Sequence, residues 1–255
     1  MRLVTSSRDR RKTGRCVLEG EHLVGVYLER VGSPELLLVV AERSDDPAVR
    51  AVAAQVAPAD VLTVPARIFA ELSTLPAAIG VLAVVATPGS GVPAPRRFHV
   101  LLEDVQDPGN VGTILRTAAA AGVEQVLLSK HCAFAWAPKV LRAAQGAHFL
   151  TAVVENVDLP VWARQFRALG GHVAATVADG GENLYASILR APLAIAIGNE
   201  GAGLSDLLLD AVDTKLTIPM PGGMESLNAS AAAAIAVFEA VRQGVYARQG
   251  EVPGA

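Results

Sequence analysis

Apolar and polar positions follow two periods along this chain. Up to about Pro88, short aliphatic runs of strand character (CVLEG, ELLLVVAE, DVLTVP, IGVLAVVAT) take turns with stretches whose apolar residues recur as on a helix face (EHLVGVYLERVG, PAVRAVAAQV, ARIFAELSTL). Strands alternating with helices predict a small α/β domain over residues 1–88. The stretch TPGSGVPAPRR then breaks the pattern with glycine and proline, the composition of a linker, placed over 89–97. Beyond it, FHVLLEDVQDPGNVGTILRTAAAAGVEQVLLS predicts a strand over 98–105, a loop over 106–111, a helix over 112–122 and a strand over 125–129. A crossover helix between two strands makes the pair parallel. Residues 130–150 are looser, with VLRAAQGAHFL reading as an amphipathic surface helix. A helix over 161–169, the strand HVAATV, a buried strand over 193–197, a glycine-rich loop and a helix starting near Ser205 extend the sheet.

The most informative stretch closes the chain. KLTIPMPGGMESLNASAAAAIAVFEAVRQ predicts a strand over 215–218, an exit stiffened by Pro219 and Pro221 and loosened by Gly222 and Gly223, and a helix over 229–241 capped by Ser226 or Asn228. Its many alanines allow another element to approach closely. A packing helix needs one cap, so the polar cluster of Glu225, Ser226 and Asn228 at its mouth points to more than capping. The second domain is placed over 98–247, with a frayed tail over 248–255.

Composition narrows the classes. With 51% hydrophobic but only 4% aromatic residues, the core is aliphatic and dense. No apolar run is long enough to cross a bilayer, and MRLVTSSRDRRKTGR lacks the apolar core of a secretory signal, so we expect no membrane association and a cytoplasmic location. Cys16 and Cys132 stand far apart without CxxC spacing, and the five histidines show no ligand spacing, so neither a disulfide scaffold nor a metal is expected. A net charge of −3 excludes a globally basic nucleic-acid binder. The densest positive cluster, Arg8, Arg10, Arg11, Lys12 and Arg15 against the single acid Asp9, is either a phosphate grip or a solvated tail.

In a parallel sheet the loops at the carboxyl ends of the strands build the ligand crevice. Asp107, Pro108, Gly109 and Asn110 form one tight turn there, Glu200 stands between Gly198 and Gly203 in another, and Thr176 ends a strand. Arg116 lies four residues after Gly112, and its side chain leans back toward the loop mouth. A buried arginine among Thr, Ala, Ile and Leu needs an anion, either a ligand phosphate or Asp104 or Asp107. Gly198, Gly201 and Gly203 read GxxGxG, the wrong order for a dinucleotide fingerprint. A Walker loop is absent, and Ser226 lacks the glycine-flanked elbow of an acylated nucleophile.

Three segments, EDVQDPGNVGTILRTAAAAG, IGNEGAGLS and LTIPMPGGMESLNASAAAAI, resemble the three ordered motifs of the SpoU-like (TrmH-type) RNA 2′-O-ribose methyltransferases of the SPOUT superfamily. SRDRRKTGRCVLEGEHLV resembles the start of the small substrate-binding domain that many members carry. The resemblance implies a homodimeric enzyme using S-adenosylmethionine, with a trefoil knot in the carboxyl-terminal parallel-sheet domain. It implies an RNA substrate, ribosomal rather than transfer RNA by analogy with the accessory domain. A catalytically silent RNA-binding relative and a small-molecule enzyme on the same crevice are the alternatives.

Carried onto this sequence, the resemblance makes Asn110, Arg116, Glu200, Ser226 and Asn228 the catalytic set. It makes Gly198, Ile218 and Leu227, with Thr176, the cofactor contacts, largely through backbone, while Arg8, Arg10, Arg11 and Lys12 would hold RNA. Ala229 stands where a bulkier β-branched residue is common, and RAAQGAHF varies widely among relatives. A ribose hydroxyl is a poor nucleophile at neutral pH, so methyl transfer to it needs in-line positioning and help in losing the proton. In the resembled family Arg116 would accept that proton, assisted by the RNA phosphate. Because arginine holds its own proton so tightly, its first role is to hold the phosphate and the hydroxyl. Asn110, Ser226 and Asn228 would orient the ribose or the loops, and Glu200 would fix Arg116 or a partner subunit.

Overall fold

The computed structural model describes residues 2–73, 80–88, 93–94 and 97–245. Most of the expected linker and the whole expected tail lie outside the described residues. The described chain divides into two compact units, one containing the residues up to 88 together with Trp136–Leu150, the other containing the remainder.

In the first unit the basic amino-terminal stretch is a helix, Ser7–Thr13. The Ser6 hydroxyl accepts from the Asp9 N–H at 3.1 Å, and Gly14, at φ 61°, ends the helix in the left-handed conformation. Strands β1 (Arg15–Glu19), β2 (Leu36–Val40), β3 (Val61–Val64) and β4 (Val81–Ala86) form one sheet in the order β1-β4-β2-β3. Only β2 and β3 run parallel, so the alternating pattern yields a mixed sheet. Val17, Leu38, Val40, Phe69 and Leu82 close one face. Cys16, the neighbour of Val17 in β1, is fully buried as well, and burial pushes its thiol up to about 12, leaving it an inert core residue.

The helix Pro138–Ala144, read from sequence as a surface helix of the second domain, belongs to this first unit. It buries Pro138, Val140, Leu141 and Ala144 and packs on β1. Arg142 donates to the Glu19 carboxylate at 3.0 Å, and the Tyr27 and Phe149 rings meet edge to face at 5.3 Å. Gly146, at φ 91°, lets the chain pass Val26 where a Cβ would come within 2.9 Å of a methyl. These partners are more than a hundred residues away in sequence, which is why local periodicity assigned the segment to the wrong unit.

The second unit is built on seven parallel strands: β5 (Phe98–Leu102), β6 (Gln125–Leu128), β7 (Ala152–Val154), β8 (His172–Thr176), β9 (Glu182–Asn183), β10 (Leu193–Ile197) and β11 (Thr214–Thr217). Their order is β7-β6-β5-β10-β8-β11-β9. The central strands β5, β6 and β10 are buried at every position, as continuous apolar runs covered on both faces must be. Strands β7 and β9, of three and two residues, are too short to show a period in the sequence. Ile197 pairs with Leu102, which pairs with Leu128, so the carboxyl ends of β10, β5 and β6 finish level and their loops leave at one edge.

Two helices flank that edge. Pro108–Ala120 starts four residues earlier than the sequence suggested, because Pro108 occupies the first turn and the Asp107 carboxylate accepts from the Asn110 N–H at 2.9 Å. It packs against the carboxyl-terminal helix, Ala229–Arg242, whose Ala229, Ala233, Ala236, Val237 and Ala240 are buried. Small side chains on that face let the two backbones close up. On the opposite side Trp162 stacks on Phe166, centroids 4.7 Å apart, over a core of Leu101, Leu127, Val173, Ala194 and Ala196.

The far end of the last helix is tied down by Glu239, whose side chain is 6% exposed and accepts two hydrogen bonds from Arg242 at 2.7 and 2.8 Å. Gln243 also donates to Glu239 at 2.7 Å and to the Ser187 carbonyl at 3.0 Å, while accepting from the Leu189 N–H. The Arg242 hydrogen bonds hold the Glu239 carboxyl below the usual glutamate range. A folded-state pKa below the unfolded one gives stability that is complete above the unfolded value, about 4.3, and is lost as pH falls through the folded value. The deficit of Glu239→Gln in urea-unfolding midpoint is therefore expected to be full at neutral pH and to narrow below about pH 4. A deficit independent of pH would contradict this.

Candidate active site

Three loops meet at the carboxyl edge of the parallel sheet. The loop after β5 carries Asp104 at φ 54°, a conformation held by hydrogen bonds, since its N–H donates to the Ser129 hydroxyl and the Ser129 hydroxyl donates back to its carboxylate. The Asp104 carbonyl accepts from the Asn199 side chain at 2.8 Å. In the loop after β10, Asn199 and Gly203 exchange backbone hydrogen bonds at 2.9 and 3.0 Å, and the Asn199 side-chain oxygen accepts from the Gly201 and Ala202 N–H groups. A Cβ on Gly198 would lie 2.4 Å from the Gly203 carbonyl carbon and 2.6 Å from the Leu204 nitrogen, so only glycine permits this crossing. Ser205 closes the loop by donating from its N–H and hydroxyl to the Glu103 carboxylate.

The third loop, between β11 and the carboxyl-terminal helix, ends at Asn228. Of the two caps the sequence offered, Asn228 is the one used: its side-chain oxygen accepts from the Ser230 N–H at 2.9 Å. Its amide group donates to the Asn110 side-chain oxygen at 3.0 Å, and the Asn110 amide group donates to Glu200 Oε1 at 2.8 Å. Asn110 itself is buried. One residue from each of the three loops is thereby joined in a single chain of hydrogen bonds.

Beside that chain lies a cavity of about 370 Å³, within the usual size of a small-molecule site. Thr176, Gly198, Ile218 and Leu227 all line it, as do Glu200 and Ser226. The Thr176 hydroxyl donates to the Ala196 carbonyl at 3.1 Å, so this side chain is fixed by the sheet. Ser226 is exposed and makes no hydrogen bond with the described residues.

Two sequence expectations are corrected. Arg116 is exposed rather than buried, and it forms no ion pair or hydrogen bond among the described residues. Asp104 and Asp107 are both committed elsewhere, to Ser129 and to the helix cap. On this helix Val111, Ile114, Leu115 and Ala118 face inward while Thr113, Arg116 and Ala120 take the solvent face, a spacing of three and four residues. Arg10, in the other unit, is the opposite case. Arg8, Arg11 and Lys12 are exposed, whereas Arg10 is 4% exposed, donating to the Leu3 carbonyl at 2.6 Å, the Val4 carbonyl at 3.2 Å and the Ser7 hydroxyl at 2.8 Å. It ties the amino-terminal turn together and is not presented to RNA.

Asn199 was missed from sequence. The available signal was an Asn next to glycine in a loop, where its side chain mimics a backbone turn. Among the described residues no group of three or more His, Cys, Asp or Glu could hold a metal ion, and no helix is long and apolar enough to cross a membrane.

Residues 97–238 match the model of the SpoU rRNA Methylase family. The chain belongs to that family. Residues 1–83 match the MRM3-like substrate binding domain. The Bacillus subtilis 23S rRNA (guanosine(2553)-2'-O)-methyltransferase RlmP is 34% identical over 239 residues, 91% of each chain. Among solved structures, the SpoU methyltransferase AviRb from Streptomyces viridochromogenes, in complex with AdoMet, superposes with a TM-score of 0.84 at 28% identity over 97% of both chains. The A. aeolicus TrmH/SpoU tRNA modifying enzyme matches 61% of this chain and 81% of its own, at a TM-score of 0.52 and 28% identity. The second unit carries the three motifs, and the residues that match the substrate-binding domain fall in the first.

The contrast between the arginines is measurable. Arg10→Ala is expected to cost about 2 kcal/mol of unfolding free energy in denaturant titrations, through the lost charge-assisted hydrogen bonds. Arg8→Ala and Lys12→Ala should stay within about 0.5 kcal/mol of wild type. Equal effects at all three positions would contradict the assignment of Arg10.

Proposed function

We propose that this protein methylates a ribose 2′-hydroxyl of ribosomal RNA with S-adenosylmethionine as donor. The observation that carries the reading is the Glu200–Asn110–Asn228 chain of hydrogen bonds beside the cavity, which unites the three motifs of the family in one place. The similarity to the Bacillus subtilis ribosomal RNA enzyme along nearly the whole chain favours ribosomal over transfer RNA.

The cavity fits the cofactor chemically. Gly198 leaves the backbone bare where the loop doubles back, Ile218 and Leu227 supply apolar walls for a flat heterocycle, and carboxylates rather than basic side chains face a cationic ligand. When bound, S-adenosylmethionine supplies an electrophilic methyl group on a positively charged sulfur. Thr176, Gly198, Ile218 and Leu227 hold it.

The chain's own residues then do the positioning. Asn110, gripped by Glu200 on one side and Asn228 on the other, presents a fixed edge to the ribose. Ser226, with its hydroxyl uncommitted, adds a second polar contact. Arg116 has a guanidinium that no acid in the described fold occupies, and it holds the RNA phosphate and the 2′-oxygen together. A charged guanidinium takes up no further proton, so the hydroxyl proton passes to the phosphate oxygen held alongside. Arg8, Arg11 and Lys12 in the first unit add a phosphate grip. The carboxyl-terminal segment is threaded as a trefoil knot, a second copy of the chain completes a homodimer, and the enzyme acts in the cytoplasm.

Arg116→Ala is expected to lower methyl incorporation into unmodified ribosomal RNA by at least about a hundredfold, measured with methyl-labelled cofactor. Its circular dichroism and cofactor affinity should remain those of wild type. Activity within a few-fold of wild type would refute the role. Mapping the label to transfer RNA alone would overturn the choice of substrate.

A further inference from the structure

The cavity wall carries two carboxylates, Glu200 and Glu225, and none of its described lining residues is Lys, Arg or His. The two acids are not equivalent. Glu200 is engaged by Asn110 through Oε1 at 2.8 Å, which commits it to joining the loops. Glu225 sits in the turn just before Ser226, is exposed, and makes no hydrogen bond or ion pair with the described residues. Nothing described in the fold either neutralises or orients this charge, and its residue is part of the cavity wall.

A free carboxylate on such a wall distinguishes ligands by charge. The sulfonium donor bears a net positive charge, and the thioether left after transfer is neutral but otherwise the same molecule less one methyl. In the transfer the carbon–sulfur bond breaks with its electron pair remaining on sulfur, a carbon–oxygen bond forms to the ribose, and the hydroxyl proton passes to the phosphate oxygen held by Arg116. The attraction of Glu225 for the ligand is therefore present before transfer and absent after it. We infer that Glu225 is a specificity-determining residue that favours the cationic donor over its neutral demethylated product, easing exchange of one for the other. This inference rests on the reading of the cavity as the cofactor site.

The test is binding to the full-length protein, measured calorimetrically with S-adenosylmethionine and with S-adenosylhomocysteine, for wild type, Glu225→Gln and Glu225→Asp. Glu225→Gln is expected to weaken the donor about threefold to tenfold, the scale of one partly solvated charge pair, and to leave the product within about twofold. Glu225→Asp should keep most of the wild-type preference, and raising the salt concentration should narrow it in wild type. An unchanged donor-to-product affinity ratio in Glu225→Gln, or equal weakening of both ligands, would overturn the inference while leaving the cofactor site intact. Failure of wild type to bind either ligand would instead overturn the reading of the cavity, and the inference with it.

Discussion

The Asn110 carboxamide offers an acceptor and a donor on opposite edges, and both are used by residues distant in the chain. Glu200 lies 90 positions away and Asn228 lies 118 positions away. Because Asn110 is buried, a missing partner on either side would leave a polar group without water or protein to satisfy it, a cost of about 1–3 kcal/mol. That penalty makes the three loops interdependent. The cavity beside them is lined by the loops after β10 and β11 together with the end of β8.

Everything upstream serves to bring those loops to one edge. Parallel strands finish level because their pairing register is continuous from Leu128 through Leu102 to Ile197. The helix Pro108–Ala120 begins directly at its loop because Asp107 caps it, which places Asn110 in the first turn with its side chain turned to the other loops. Alanine-rich packing lets the carboxyl-terminal helix come close enough for Asn228 to serve two masters, as helix cap and as partner of Asn110. At Gly198 the chain crosses itself at a distance that admits no side chain. Residues with small side chains are thus used wherever the site needs proximity, and polar ones wherever it needs a fixed angle.

Much of this was legible in the sequence, for reasons that can be named. Strand β10 is a continuous apolar run bounded by proline and glycine, and the last helix is flanked by a strong cap, so both were placed to within a residue or so. Small and polar residues at the carboxyl ends of parallel strands marked the loops as candidates, and the resemblance to the family's three motifs supplied the site residues within them. What failed was mainly information that lies in tertiary context. Arg116 and Arg10 were each assigned the wrong environment: the apolar spacing of Val111, Ile114, Leu115 and Ala118 already puts Arg116 on the solvent face, whereas the carbonyl and hydroxyl partners that bury Arg10 exist only in the folded turn. The segment Trp136–Leu150 joined the other unit through partners such as Glu19 and Tyr27, which no local window contains. Strands of two and three residues and the turn-forming role of Asn199 fall below the length at which periodicity speaks.

The central claim is that three remote segments act as one unit through the Asn110 side chain. It is tested most directly by a double-mutant cycle on methyl transfer, comparing kcat/KM for Asn110→Ala, Asn228→Ala and the pair. If the two side chains work as one hydrogen-bonded unit, the double variant should be little worse than the more damaged single variant, giving a coupling energy above about 1 kcal/mol. Losses that simply add, within about 0.3–0.5 kcal/mol, would show that the two residues act independently and would contradict the account.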